Sequence, residues 1–236
     1  MNHILAIDGP SGAGKSTVAR CLGRKLRFLH VDSGALYRIM TWQALDNGID
    51  TQSESALTAF AARVTVDFAV RDGAVVYAVA GVEPGDRIRT PTINQHASLV
   101  AKVPAVRTRV TNWLRELRKL DNLVVEGRDI GSVVFPDSPA RFYLDAAPEE
   151  RARRRHTEEQ QKGIETAGTD AVLASLLNRD RIDSSRAVAP LKVADGAMVL
   201  DTTRLSIEQV VQAVYDHLPE DWRLLNRAPC GPVSAP

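Results

Sequence analysis

Five short apolar runs in this chain each close on an acidic residue. They are Ile4–Ile7 before Asp8, Phe28–Val31 before Asp32, Leu123–Val125 before Glu126, Phe142–Leu144 before Asp145, and Met198–Leu200 before Asp201. Runs that are apolar at nearly every position fit strands buried on both faces of a parallel sheet, because a half-exposed strand would alternate. Helical stretches separate them, which is the strand–helix–strand rhythm of an α/β fold. In such sheets ligands bind beyond the carboxyl ends of the strands, so the acids fall on the functional edge. At 236 residues the chain is one large domain or a core carrying inserted subdomains.

Two stretches break the rhythm. Val64–Val70 alternates with period two, Arg71-Asp72-Gly73 supplies a turn, and Val75–Ala80 returns, which predicts an antiparallel hairpin inserted into the parallel fold. From about 148 to 190 a second excursion begins with Pro148-Glu149-Glu150, a helix start with proline in the first turn and acids at the positive end of the dipole. The arginine-rich helix that follows ends near Gly163, and a polar stretch to Thr169 leads to another helix. Arg151, Arg154 and Arg155 share one face by their i, i+3, i+4 spacing, while Arg153 projects elsewhere. That face reads as a phosphate clamp on a closing lid; the competing reading is a solvated face balanced by Glu149, Glu150, Glu158 and Glu159. The tail after Trp222 is rich in proline and reads as frayed.

Directly after the first apolar run comes Gly9-Pro10-Ser11-Gly12-Ala13-Gly14-Lys15-Ser16, a full match to G-x-x-x-x-G-K-[ST], followed by Thr17 and a helical pattern. Strand before and helix after is the context that gives this motif its meaning. Glycines let the backbone curl so that successive N–H groups point at phosphate oxygens, and the helix adds its positive end. Lys15 would reach the β/γ-phosphates, and the Ser16 hydroxyl would ligate Mg²⁺. Asp32 is expected beside this loop, either holding a metal-bound water or orienting Ser16 or Lys15. The motif implies a nucleoside triphosphate, not what receives its phosphate.

Composition narrows the class. Lys plus Arg is 30 and Asp plus Glu is 29, a balance that disfavours coating a nucleic acid or an anionic membrane. Two cysteines, Cys21 and Cys230, exclude a disulfide framework, and Cys21 is expected to pack in the core. No signal peptide or membrane helix is recognisable, so a cytoplasmic protein is expected. The guanine-reading N-K-x-D and the D-x-x-G switch of regulatory GTPases do not occur. A small phosphotransferase remains, whose chemistry needs in-line positioning, charge neutralisation and exclusion of water.

Four further segments join the phosphate loop. They are Asp32-Ser-Gly-Ala-Leu-Tyr-Arg38, Ile88-Arg-Thr90, Glu126-Gly-Arg-Asp-Ile-Gly-Ser-Val-Val-Phe-Pro-Asp137, and Arg186-Ala-Val-Ala-Pro-Leu191. In this order they closely resemble the bacterial cytidylate kinase family from about residue 3 to 217. The resemblance implies transfer of the γ-phosphate of ATP to CMP or dCMP, with Mg²⁺, by a monomer. It implies a P-loop NTPase core with a five-stranded parallel sheet flanked by helices, over 1–38, 91–147 and 187–220. An NMP-binding insert with a small antiparallel sheet would occupy 39–90, a helical lid 148–186, and a flexible tail 221–236. It further implies that Ser98, Arg107 and Asp129 read the cytosine edge. Arg179 and Asp183 would hold the ribose hydroxyls, with Arg181 left solvated. Ser33, Arg38, Arg128 and Arg186 would grip the acceptor phosphate, and Arg151 and Arg155 would close over the donor phosphates. Lys15, Arg128, Arg151, Arg155 and Arg186 are thus the expected catalytic cations. The five histidines show no ligand spacing.

Overall fold

A computed structural model describes residues 2–161, 163 and 168–224. Most of the polar stretch between the two lid helices, and residues 225–236 with Cys230, lie outside the described residues. Strands β1 (Ile4–Asp8), β2 (Leu29–Asp32), β3 (Asp67–Arg71), β4 (Ala74–Ala78), β5 (Leu123–Gly127), β6 (Ala140–Asp145) and β7 (Met198–Asp201) form one sheet, ordered β3-β4-β2-β5-β1-β6-β7. The five strands β2-β5-β1-β6-β7 are parallel, and they are the five acid-terminated runs. The predicted hairpin is β3 and β4, turning through Asp72 (φ 49°) and Gly73 (φ 73°), both left-handed as a tight hairpin of this twist requires. It is not a separate small sheet: β4 runs parallel to β2, with His30 opposite Ala74, and extends the main sheet at its edge.

The helices are α1 (Lys15–Leu26), α2 (Ser33–Asp46), α3 (Glu54–Ala61), α4 (Pro91–Val100), α5 (Pro104–Leu117), α6 (Pro148–Gln161), α7 (Thr169–Ser184), α8 (Ile207–Asp216) and α9 (Glu220–Leu224). Local chemistry sets their starts. Asp32 caps α2 by accepting from the Ala35 amide, Thr90 caps α4 in front of Pro91, and Ser206 with Gln209 forms a reciprocal cap on α8. Helix α2 runs through residue 38, so the expected core–insert boundary at 38/39 falls inside a continuous helix.

Successive side chains of a strand face opposite sides, and β1 shows what that does here. Ile4 and Ala6 pack with Ile39, Leu57, Val110 and the hairpin's Val75 and Tyr77. Leu5 and Ile7 pack with Val18 and Leu22 of α1, Val210 and Val214 of α8, and Trp222. The sheet is therefore covered on both faces, as its apolar strands demand. Trp222 corrects the expected tail: it is 2% exposed and lies against the rings of His3 (4.7 Å between centres) and Phe28 (5.8 Å). The expected flexible segment at 221–236 thus begins in a docked helix. Cys21 is half-buried on α1 rather than in the core. No described helix is long and apolar enough to cross a membrane.

Candidate active site

Strand β1 lies between β5 and β6, so the chain crosses from one side of the sheet to the other here. The crevice beyond such a switch point is where a parallel α/β sheet takes ligands. The phosphate loop emerges from β1. Its glycines are structural necessities: Gly9 has φ 145° and any Cβ would collide with the Leu144 carbonyl oxygen. A Cβ on Gly12 (φ 80°) would come within 3.0 Å of Arg151. Gly14 (φ 83°) begins α1 and contributes no side-chain cap, so the first amides of α1 are left for another acceptor. Ala13 is packed in the core below, and Thr17 is exposed beside the loop.

Lys15 is buried and donates to the Pro10 carbonyl (2.6 Å). Burial, and then the Arg128 charge, push its pKa down to about 7. An anionic phosphate reaching this ammonium would favour its charged form. Ser16 donates to Glu126 (2.8 Å), whose other oxygen faces His30 Nε2 at 3.2 Å. Glu126, noted in the sequence only as a strand ending, therefore takes the place expected for Asp32. Asp32 is committed elsewhere: it accepts from the Ala35 amide (3.0 Å), Arg38 (2.7 Å) and Arg89 (3.3 Å). Burial alone would raise its pKa, but Arg38 and Arg89 outweigh it and hold the carboxyl at about 2.

Beyond β5 lies a second cluster. Arg107, 2% exposed, forms a buried ion pair with Asp129, 3% exposed, donates to the Ala101 carbonyl (3.2 Å), and lies over the Tyr37 ring at 5.2 Å. Ser98 is buried on α4. Ser33 donates to the Glu126 carbonyl (2.6 Å), fixing the start of α2 against the end of β5. Asp183 on α7 receives Arg128 Nε (3.1 Å) and faces Arg186 Nη1 at 3.6 Å.

This cluster is short of acceptors. Arg186 keeps Nε and Nη2 buried without a partner, and Arg38 and Arg179 each keep a buried, unpartnered Nε. Arg179 has its pKa pulled down to about 10, first by burial and then by Arg128. Orphaned guanidinium donors beside like charges are costly unless an anion completes them. Arg181, by contrast, is exposed and donates to Asn178 (3.0 Å).

The lid arginines do not stand as one free face. Arg151, 5% exposed, donates to the Ala146 carbonyl (3.0 Å), to the Ser11 carbonyl (3.0 Å) and to Asp180. Arg154 binds Glu150 (2.8 Å) and the Thr202 carbonyl (2.6 Å), while Arg155 binds Glu159 (2.6 Å) and Glu158 (3.2 Å). Arg153 pairs with Glu150 (2.7 Å) at the surface.

Besides Glu126, sequence reasoning missed two carboxylates here. Asp8, 2% exposed, accepts from the amides of Ile130 and Gly131, each at 2.7 Å, joining the strand before the phosphate loop to the turn after Asp129. Burial pushes its pKa up to about 6 against those two bonds. Its place at a strand end on the functional edge was a signal. Asp180 sat in a charged run that offered none.

For a hard cation the donors suit: the Ser16 hydroxyl and the Glu126 carboxylate are adjacent oxygens. Groups of three or more His, Cys, Asp or Glu able to hold a metal are absent among the described residues.

The cytidylate kinase family model matches residues 5–220. A cytidylate kinase of Pseudomonas aeruginosa (strain UCBPP-PA14) is 46% identical over 216 residues, covering 91% of this chain and 94% of the relative. One of Pseudomonas putida (strain KT2440) is 42% identical over 222 residues, covering 93% and 97%. Among solved structures, a shikimate kinase of Bacteroides thetaiotaomicron matches at 13% identity and TM-score 0.47, over 92% of this chain and 98% of that one. The family match takes in both the phosphate loop and the Arg107–Asp129 cluster within a single stretch, and on it this chain belongs to the cytidylate kinase family.

Proposed function

We propose that this kinase transfers the γ-phosphoryl group of ATP to CMP or dCMP, giving ADP and the pyrimidine diphosphate. The observation that carries the reading is the buried Arg107–Asp129 pair with the buried Ser98, set beside guanidinium groups whose buried N–H donors lack partners. A cytosine edge presents an exocyclic amine beside a ring nitrogen and a carbonyl. A carboxylate that accepts and a guanidinium and hydroxyl that donate answer those groups. The acceptor phosphate then meets Ser33, Arg38, Arg128 and Arg186, whose forks suit its oxygens. Arg179 and Asp183 face the ribose.

On the donor side the loop amides of residues 9–17 and Lys15 hold the phosphates. Ser16, with Glu126, would hold Mg²⁺, which supplies charge neutralisation when bound. Asp32 instead anchors Arg38. The acceptor phosphate is already anionic, so no strong general base is needed, and Lys15 and the arginines act by electrostatics. Arg151 and Arg155 approach the donor phosphates only after exchanging their present carboxylate partners. The enzyme is read as a monomer with small nucleotides as its partners.

The test is ADP release from ATP with CMP, dCMP, UMP, AMP or shikimate added singly. Strong stimulation by CMP and dCMP alone is expected. Absence of CMP stimulation sinks the reading.

A further inference from the structure

Helix α7 carries carboxylates directed to both halves of the site. Asp183 meets Arg128 and Arg186 on the acceptor side. Asp180, one turn earlier, meets the donor loop: Oδ1 accepts from the Ser11 amide (3.2 Å) and Oδ2 from Arg151. Ser11 is central to the phosphate loop, and Arg151 is held in place against it by the Ser11 and Ala146 carbonyls. Asp180 also lies close enough to Lys15 and Arg128 to favour their charged forms. A carboxylate bonded to a loop amide and an arginine, with Lys15 and Arg128 in reach, occupies an electrostatic niche that suits a phosphate oxygen.

We infer that Asp180 occupies the niche of a donor phosphate until the donor binds, and that acceptor binding through Asp183 on the same helix withdraws it. Asp180 is thereby a positioning residue that couples the two nucleotide sites. This rests on the acceptor reading given above. The physical reasoning is short. A triphosphate arriving at the loop must displace or repel the Asp180 carboxylate, which penalises donor binding. Ribose hydroxyls and phosphate competing for Asp183, Arg128 and Arg186 rearrange the contacts that fix α7, and Asp180 is carried with it. Coupling between two sites is reciprocal and, where it exists, commonly amounts to about 5- to 150-fold in affinity.

The experiment measures the dissociation constant of the β,γ-imido analogue of ATP by calorimetry, with and without saturating CMP, in the wild type and in Asp180→Asn. In the wild type CMP should tighten analogue binding at least about fivefold. In Asp180→Asn the analogue alone should bind about as tightly as it does to the CMP-bound wild type, and CMP should add less than about twofold. A merely structural role predicts the opposite: weaker analogue binding in the variant with the CMP effect retained. That result overturns the inference.

Because Asp180→Asn leaves Arg151 short of a charged partner and could fold poorly, a second measurement uses the wild type alone. On titrating CMP without donor, the Ser11 amide resonance should shift together with those of Arg128 and Asp183. Shifts at 128 and 183 with Ser11 unmoved overturn the coupling while leaving the acceptor site intact. No CMP binding at all, by either method, overturns the acceptor reading and this inference together.

Discussion

The donor and acceptor halves of the site are built on opposite plans. The donor half is one contiguous segment whose work is done by backbone: three glycines at positive φ, uncapped amides at the start of α1, and one lysine. The acceptor half is assembled from α2, α4, α5, the end of β5 and α7, and its side chains hold one another in ion pairs. Backbone geometry is held by packing, so changing a side chain of the loop itself should alter chemistry and spare the fold. Paired buried charges are different, because removing one strands the other. The contrast predicts that substitutions in the acceptor-side charge pairs register in stability and those in the phosphate loop in rate.

The largest effect should follow Asp129→Ala. It leaves Arg107 charged, buried and unpaired, which costs about 3–5 kcal/mol. Urea unfolding should show that loss, and KM for CMP should rise far more than KM for ATP. Replacing both partners together, Asp129→Leu with Arg107→Met, should recover most of the stability while leaving CMP binding abolished. If the single variant is as stable as the wild type, the acceptor half is not held by its charge pairs.

Lys15→Met is the donor-side counterpart. Losing a cation aimed at developing negative charge should lower kcat by about 10²–10³-fold. Stability should hold or rise, since Lys15 makes one side-chain hydrogen bond, to the Pro10 carbonyl, and its buried ammonium is held at about 7 by desolvation. A variant that lost stability as Asp129→Ala does would erase the contrast.

Asp8 lies on the seam between the halves and titrates. Its pKa rises from 3.8 to about 6 on folding, so the folded protein holds a proton that the unfolded chain has released between those values. The associated stabilisation is complete below about pH 3.8 and is lost as pH rises through about 6, about 3 kcal/mol in all. Relative to Asp8→Asn, which cannot titrate, wild-type stability should fall by about 2 kcal/mol of that from pH 4 to pH 6.5. A pH-independent difference would show that the two amide bonds at Ile130 and Gly131, not burial, set its charge.

The same contrast governs what the sequence disclosed. Five acid-terminated apolar runs sufficed for the parallel sheet, and its central strands β1 and β5 are buried at every position, which leaves no room there for alternation. The donor loop was legible because backbone chemistry leaves glycines at fixed spacing. Arg151 was read correctly as a helix residue, but its direction was not legible. Spacing places it on a face with Arg154 and Arg155, yet only the approach of α6 to Gly12 shows that it points into the loop. Asp180 and Glu126 were missed for a related reason. A carboxylate's role depends on which donor faces it across more than a hundred residues of chain, and periodicity carries no such information. Trp222 was read as the edge of a tail because its partners, His3 and Phe28, lie at the other end of the sequence.

The smallest effect, and the one that tests the acceptor half without disturbing its charges, is Ser98→Ala. The Ser98 hydroxyl is the one member of the proposed cytosine-reading set that takes no part in an ion pair, so its removal strands no charge. Stability should therefore change by less than about 0.5 kcal/mol. If the hydroxyl bonds the base, its loss removes one hydrogen bond of about 0.5–1.5 kcal/mol, and KM for CMP should rise about two- to tenfold with KM for ATP unchanged. Because the ribose is read by other residues, the factor should be the same for CMP and dCMP. Equal rises in KM for ATP and CMP would place Ser98 in the scaffold shared by both halves, and the acceptor cluster would then read the base through Arg107 and Asp129 alone.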